Sequence, residues 1–277
     1  MKLLNIGCGA HFHPAWTNVD MASTSPHVIA HDIRKGLPFD GASFDVVYHS
    51  HVIEHLAQPD ALVFLKECVR VLKPGGTIRV ATPDLENMAR AYLDRLEAAL
   101  RGDPGAAMDH QWMVLEIFDQ MVRNRPGGEM GRYLARPDLE NKDFIISRIG
   151  QEAQNFWGNE NTAATRSPAR SVTLHKVVRR LRRAWQVTVA MLAGFVSGKG
   201  GSKAFREGLF RNSGEIHRWL YDRFSLAKLL EQAGLVDVRT RSASESRIPY
   251  FAAYQLDVVQ GRIRKPDSLF MEARKPR

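Results

Sequence analysis

Three groups of residues in this 277-residue chain carry side chains that could do chemistry. The first is Gly7-Cys8-Gly9, directly after the apolar run Leu3 to Ile6, followed by an acid, Asp20, with ten residues between Gly9 and Asp20. A glycine pair at that place lets a ligand approach the backbone without meeting a side chain, and a carboxylate closing the next strand accepts hydrogen bonds from ribose hydroxyls. A dinucleotide fingerprint would need a third glycine where Phe12 stands, and a triphosphate loop would need Gly-Lys-Ser or Gly-Lys-Thr, which is missing, so both readings are disfavoured. The second group is His49-Ser50-His51-Val52-Ile53-Glu54-His55. A histidine titrates near neutrality and suits removal of a hydroxyl proton, which makes His51 the first candidate for a general base. On a helix His51, Glu54 and His55 would share one face and could hold a divalent metal. Such a set more often caps and orients the helix, and no metal is assigned. The third group is Glu215-Ile216-His217-Arg218-Trp219-Leu220-Tyr221-Asp222, dense in polar and charged side chains and placed where an acceptor pocket would be completed. His217 is the second candidate base.

The elements that must position these groups are legible as short apolar runs alternating with turns and helical patterns, the mark of a parallel sheet built from βαβ units. Strands are predicted at Leu3 to Ile6, Thr17 to Val19, Val28 to Ala30, Phe44 to Tyr48 and Thr77 to Ala81. Val52, Leu56, Leu62, Leu65, Val69 and Leu72 recur at helical spacing, and Lys73-Pro74-Gly75-Gly76 stops that helix. After Thr82-Pro83-Asp84 the chain turns to long helical stretches broken by Pro104-Gly105, Pro126-Gly127-Gly128 and Pro137. The predicted organisation is therefore a first core half over 1–84, a helical insertion over 85–214 and a second core half over 215–277. The last part holds a helix at Ser225 to Gln232 and strands at Val236 to Arg241 and Ser268 to Ala273. The fold class is α/β, a doubly wound and mostly parallel seven-stranded sheet with a helical insertion. Ligands of such sheets sit at the carboxyl ends of the strands, where the second group falls.

Leu3 to Gly9, Asp20, Asp32, Leu37-Pro38-Phe39 with Ser43-Phe44-Asp45, and Arg70 to Gly76 resemble, in that order, the successive motifs of class I S-adenosylmethionine-dependent methyltransferases of the ubiquinone and menaquinone biosynthesis type. The resemblance covers roughly the first 85 residues and implies a Rossmann-like methyltransferase fold. It also implies that Gly7 and Gly9 face the methionine part of the cofactor, that Asp20 holds the ribose and that Asp32 meets the adenine. Their neighbours Cys8, Ile33, His49 and Ser50 complete the expected cofactor-binding set. Pro14 interrupts the short span before Asp20, so the first helix of such folds must shrink to about one turn. Trp16, in the same span, is expected in the core, the alternative being a cover for the cofactor's edge. The Glu54-His55 pair resembles one that binds a divalent metal in some relatives, and the block from Glu215 to Asp222 is similar to sugar- and surface-glycan-modifying methyltransferases. The expected reaction is O-methylation of a small-molecule or glycan acceptor, including one carried on a lipid.

The formal charge is +9, and residues 166 to 211 alone hold eleven basic side chains against one acid, Glu207. Within that segment Arg179-Arg180-Leu181-Arg182-Arg183 precedes an apolar stretch, Ala184 to Val196, too short to span a bilayer. Two readings stand: a helix lying in the membrane interface over 176–197, and a buried helix of the insertion with a solvated basic end, the latter preferred. The basic segment could also serve an RNA methyltransferase, but no RNA-binding module is recognisable and the Pro-Pro motif of base-nitrogen methylases is missing after the fourth strand. A non-catalytic scaffold of the same fold is the remaining alternative. Cys8 and Cys68 cannot form a disulfide framework, Cys8 reads as a small buried filler, and the first apolar run is too short for a signal peptide. The expected location is the cytoplasm, at most peripheral on the inner face of the membrane. The oligomeric state is left open.

Overall fold

The computed structural model describes residues 1–23, 25–163 and 174–277. Its elements in chain order are β1 (Leu3–Ile6), β2 (Thr17–Asp20), β3 (Val28–Ala30), β4 (Phe44–Ser50), α1 (Gln58–Val71) and β5 (Leu72–Pro83). The helices α2 (Leu85–Arg101), α3 (Ala106–Val122), α4 (Gly128–Leu134), α5 (Lys142–Ile149), α6 (Gln151–Ala163) and α7 (Leu174–Arg211) follow. The chain closes with α8 (Arg223–Gln232), β6 (Val236–Arg241), the short pair β7 (Val258–Val259) and β8 (Arg262–Ile263), and β9 (Ser268–Arg274).

Seven strands form one sheet in the order β3-β2-β1-β4-β5-β9-β6. All neighbours from β3 to β5 pair in parallel, and β9 runs antiparallel between β5 and β6. This is the predicted mostly parallel, doubly wound α/β sheet. β1 is buried along its whole length because both faces of a parallel sheet are covered. On one face Leu4, Ile6, Val19, Val47, Ile78 and Val80 pack against Phe64, Leu65 and Cys68 of α1 and against Leu226 and Leu230 of α8. Pro59 opens α1, where its missing N–H costs no hydrogen bond, and buried residues follow at helical spacing to Val71. The predicted boundaries shift by a few residues. β5 begins at Leu72 instead of Thr77, because the helix-stopping Gly75 is itself held at the sheet by an N–H bond to the Lys275 carbonyl.

The opposite face departs most from expectation. Residues between β1 and β2 form turns only, so even the single helical turn predicted there is absent. The bare face is covered instead from the C-terminal side, where Ile248, Phe251 and Leu256 join Leu3, Trp16, Val46 and Tyr48 in a second core. Trp16 is accordingly a core residue, edge-on to Tyr48, Phe251 and Tyr254.

Helices fill the stretch between β5 and α8 and carry a core of their own around Met88, Trp112, Met113, Tyr133 and Ile145. Arg166 and Arg170 of the basic segment lie outside the described residues. α7 is kinked at Gly198 (φ 68°). Before the kink, Trp185, Met191, Leu192, Phe195 and Val196 are exposed, Phe195 to 91%. These five side chains depart from the preferred reading of this stretch as a buried helix, whereas Ala190 is buried. Among the described residues no helix is long and apolar enough to cross a membrane.

Candidate active site

The glycine turn is built on strain that only glycine tolerates. Gly7 (φ 68°) and Gly9 (φ 55°) both sit in the left-handed region, and a Cβ on Gly7 would lie 2.2 Å from Val52 Cγ2. A Cβ on Gly9 would meet nothing within 4 Å, so the space above that residue is open. The turn is pinned to β2: the Gly7 N–H donates to the Val19 carbonyl at 2.8 Å, and the Gly9 N–H donates to Asp20 Oδ2 at 2.8 Å. The other Asp20 oxygen has only a long 3.4 Å contact with the Ala22 N–H. Asp32 caps the short helical turn after β3 and is gripped by Arg34, Nε to Oδ1 and Nη2 to Oδ2 both at 2.8 Å. That guanidinium holds the Asp32 carboxyl down at about 2.

A cavity of about 460 Å³ opens beside these groups, lined by Gly7, Asp20, Asp32, Ile33, His51 and His55, with Arg218 at its wall. The structure thus brings together part of the expected cofactor set and the first candidate base. Two expected members are elsewhere. His49 is fully buried edge-on to Phe64 of α1, because alternate residues of β4 face opposite sides of the sheet. Ser50 points to the other face, where its Oγ accepts a hydrogen bond from Arg264 Nη2 at 3.1 Å. Cys8 is buried beside the turn and does not line the cavity, and burial pushes its thiol up to about 11.

Glu54 is the hub of the site, joining the second and third sequence groups. It is buried completely, with Thr82 Oγ1 donating to Oε2 at 3.2 Å and His51 Nδ1 at 3.2 Å from Oε1, an ion-pair distance rather than an aligned hydrogen bond. Burial opposes its charge, yet His51 and the other imidazoles around it hold the carboxyl well below the usual range. Its backbone carbonyl accepts the N–H groups of Arg218 (2.7 Å) and Trp219 (3.2 Å), which docks the third sequence group onto the second. His51 has a left-handed backbone (φ 55°), uncommon for a residue with a Cβ. It is held there by its N–H bond to the Ala81 carbonyl at 2.9 Å and by a 2.8 Å hydrogen bond between its Nε2 and Ser268 Oγ. No pattern in the sequence pointed to Ser268. His217 is buried and edge-on to His55, with ring centroids 4.8 Å apart, and its N–H donates to the Gln120 carbonyl of α3. It is not among the side chains lining the cavity. Glu54, His55 and His217 place ligand atoms within 4.8 Å of one another, a donor set suited to a divalent ion. His51, part of the set expected from spacing, is turned to Ser268 instead.

These burials have a consequence for stability. Desolvation lowers His49 and His51 to about 4 and His217 to about 3, and raises Asp267 to about 7. Below pH 6.5 the unfolded chain takes up a proton at each of the three histidines that the folded chain refuses, so acid destabilises. Asp267 works in the opposite sense between about 4 and 7, because its folded form keeps a proton that the unfolded chain releases. His11 is lowered in the same sense by its burial, so the histidines outweigh the one opposing acid and stability falls as the pH is lowered through this range. The midpoint of urea unfolding should therefore fall steeply between pH 6.5 and 5, and a flat midpoint would contradict the neutral, buried histidines.

Residues 9–80 match a family of methyltransferase domains. The chain is 30% identical over 113 residues to a ubiquinone biosynthesis O-methyltransferase of Parvibaculum lavamentivorans, which covers 33% of this chain and 44% of that protein. It is 51% identical over 57 residues to a probable S-adenosylmethionine-dependent methyltransferase of Mycolicibacterium smegmatis, covering 19% of this chain and 21% of that one. It spans less than half the length of either relative. Among solved structures it is similar to a SAM-dependent methyltransferase of Thermotoga maritima, with 12% identity, a TM-score of 0.39 and coverage of 99% and 82%. The cofactor implied is S-adenosylmethionine, and the residues present fit it: two carboxylates border a cavity of ligand size, and the adjoining turn has a backbone that only glycine readily adopts.

Proposed function

We propose that this chain, whose residues 9–80 match a methyltransferase domain, transfers the methyl group of S-adenosylmethionine to an oxygen of a small-molecule acceptor, with His51 backed by Glu54 as the base. The observation that carries this reading is the single cavity shared by Gly7, Asp20, Asp32 and Ile33 with His51 and His55. The cofactor supplies an electrophilic methyl on a sulfonium. The protein's own task is to hold the acceptor oxygen in line and to take its proton. An ionised Glu54 beside Nδ1 keeps the His51 proton on that nitrogen and leaves the Nε2 lone pair free to accept, and in that tautomer the 2.8 Å contact with Ser268 Oγ is one in which the hydroxyl donates. An acceptor hydroxyl that displaces Ser268 can donate to the same nitrogen, and the buried carboxylate then stabilises the imidazolium that forms. His217, behind Glu54 and outside the cavity lining, supports the pair sterically and electrostatically. Calorimetry with S-adenosylmethionine and with its demethylated product tests the core of the proposal. Binding of both in the micromolar range is expected, and no affinity for either would end the enzymatic reading.

A glycan or lipid-carried acceptor and a peripheral membrane position form the finer part of the proposal. The exposed Trp185, Met191, Leu192, Phe195 and Val196 of α7 support it, following in sequence on Arg179 to Arg183. An apolar face beside a basic flank suits an interface carrying anionic lipid. Flotation with phosphatidylserine vesicles is expected to carry the protein up at low salt and to lose it at high salt. Failure to float at low salt would discard the membrane position and leave the methyl-transfer reading intact.

A further inference from the structure

A second cavity, of about 540 Å³, lies between the helical insertion and the β7–β8 pair. Its floor and walls come from Gln151 and Gln154 of α6, from Gln260 in the turn, and from Arg262 and Arg264. The charged side chains in this lining are the two guanidiniums, with no carboxylate beside them. Glu152, adjacent in sequence to Gln151, is turned to Lys265 at 3.4 Å. The first cavity is mixed in charge, lined by Asp20, Asp32 and Asp60 together with Arg34 and Arg218.

The two walls of the second cavity are fixed to each other. The Gln151 N–H donates to the Arg264 carbonyl at 3.0 Å, and a Cβ at Gly150 (φ 53°) would lie 2.6 Å from that same oxygen and from Pro266 Cδ. Arg264 is a fixed strut: Nε donates to the Leu256 carbonyl at 2.9 Å and Nη2 to Ser50 Oγ at 3.1 Å. It therefore reaches from this cavity to the carboxyl end of β4, one residue before His51. Its Nη1 hydrogens, and all those of the Arg262 guanidinium, have no partner among the described residues. The free Arg262 guanidinium and the free Nη1 of Arg264 in a ligand-sized concavity favour a planar or tetrahedral oxyanion, which can accept from both.

We propose that this cavity binds the anionic group, carboxylate or phosphate, of the methyl acceptor, and that Arg262 and Arg264 recognise it. The assignment to the acceptor rests on the methyl-transfer reading, whereas the anion site itself does not. The test titrates the whole chain with inorganic phosphate and, separately, with benzoate at constant ionic strength, following binding by calorimetry and thermal shift. At least one probe is expected to bind saturably, and whichever binds names the anion. Arg262→Gln should weaken that probe about tenfold and Arg262→Glu should abolish it, both leaving S-adenosylmethionine affinity unchanged. Arg262 is exposed, so these variants should fold, whereas Arg264→Gln also removes the strut. If neither probe binds, if Arg262→Glu binds them as the parent does, or if saturating S-adenosylmethionine displaces them, the proposal is overturned. A protein that binds phosphate or benzoate at Arg262 but never S-adenosylmethionine would keep the anion site and lose the methyl-transfer reading.

Discussion

Replacing His51 with glutamine should lower turnover by about 10²–10⁴-fold, the range a positioned general base contributes, while S-adenosylmethionine still binds. Glu54→Gln should cost a similar factor, because without a carboxylate at 3.2 Å from Nδ1 nothing fixes the tautomer or stabilises the imidazolium. The double variant should be little worse than either single one, as expected of residues that act as a unit. Ser268→Ala should be nearly neutral, since the hydroxyl occupies the nitrogen that the acceptor is to use. His217→Gln serves as the internal comparison and should reduce turnover by about tenfold at most, since its ring lies outside the cavity lining. Steady-state rates with a hydroxyl acceptor and binding of the demethylated cofactor separate these effects. A His51→Gln enzyme that turns over normally beside a dead His217→Gln enzyme would move the base to the other side of Glu54.

The second large effect concerns stability. Arg79 on β5 is fully buried and all five of its N–H groups are used. Nε donates to Asp257 (2.8 Å), Nη1 to Glu272 (3.0 Å) and to the Glu245 carbonyl (2.9 Å), and Nη2 to the Ser242 and Ala243 carbonyls (3.1 and 3.2 Å). The guanidinium lies between the rings of Phe251 and Phe270, 4.7 and 5.3 Å from their centroids. Asp257 also accepts the Tyr48 hydroxyl at 2.6 Å, so the network ties the segment that covers the helix-free face onto the sheet. Truncation to alanine would leave two carboxylates buried without their cation, at a cost of about 3–5 kcal/mol. For a chain of this size that corresponds to a fall of roughly 10 °C in the unfolding midpoint. Lysine should rescue only in part, because an ammonium has three donors and no planar fork to satisfy the same five acceptors. Scanning calorimetry of Arg79→Ala and Arg79→Lys checks both, and a midpoint within about 2 °C of the parent in the alanine variant would deny the network its role.

Much of the sheet was legible because its signals are local. Short apolar runs ended by glycine, proline or an acid place the seven strands to within a few residues, and the parallel arrangement puts Gly7, Asp20 and Asp32 together at the strands' carboxyl ends. His49 and Ser50 do not line the cavity, for an equally local reason. Adjacent residues of β4 face opposite sides of the sheet, so neighbours of His51 in sequence need not be its neighbours in space. The turn between β1 and β2 hid more. Pro14 announced a shortened helix, but nothing near it showed that the vacated face would be covered by Ile248, Phe251 and Leu256.

Residue types and spacing alone determined the α/β class, the glycine turn, its two acids and the placing of a histidine-rich segment at the mouth of the sheet. The tertiary structure alone decided how the histidines are placed: His51 lies between Glu54, three positions along, and Ser268, 217 residues away, while His49 is sealed in the core. It also decided that Trp185, Met191, Leu192, Phe195 and Val196 of α7 are exposed and that Arg264 joins a cationic cavity to the end of β4. The division has one physical cause. Backbone preferences and periodicity act over a few residues and can be read in order, whereas the aim of a side chain is set by burial and by partners that only chain closure brings within 3 Å.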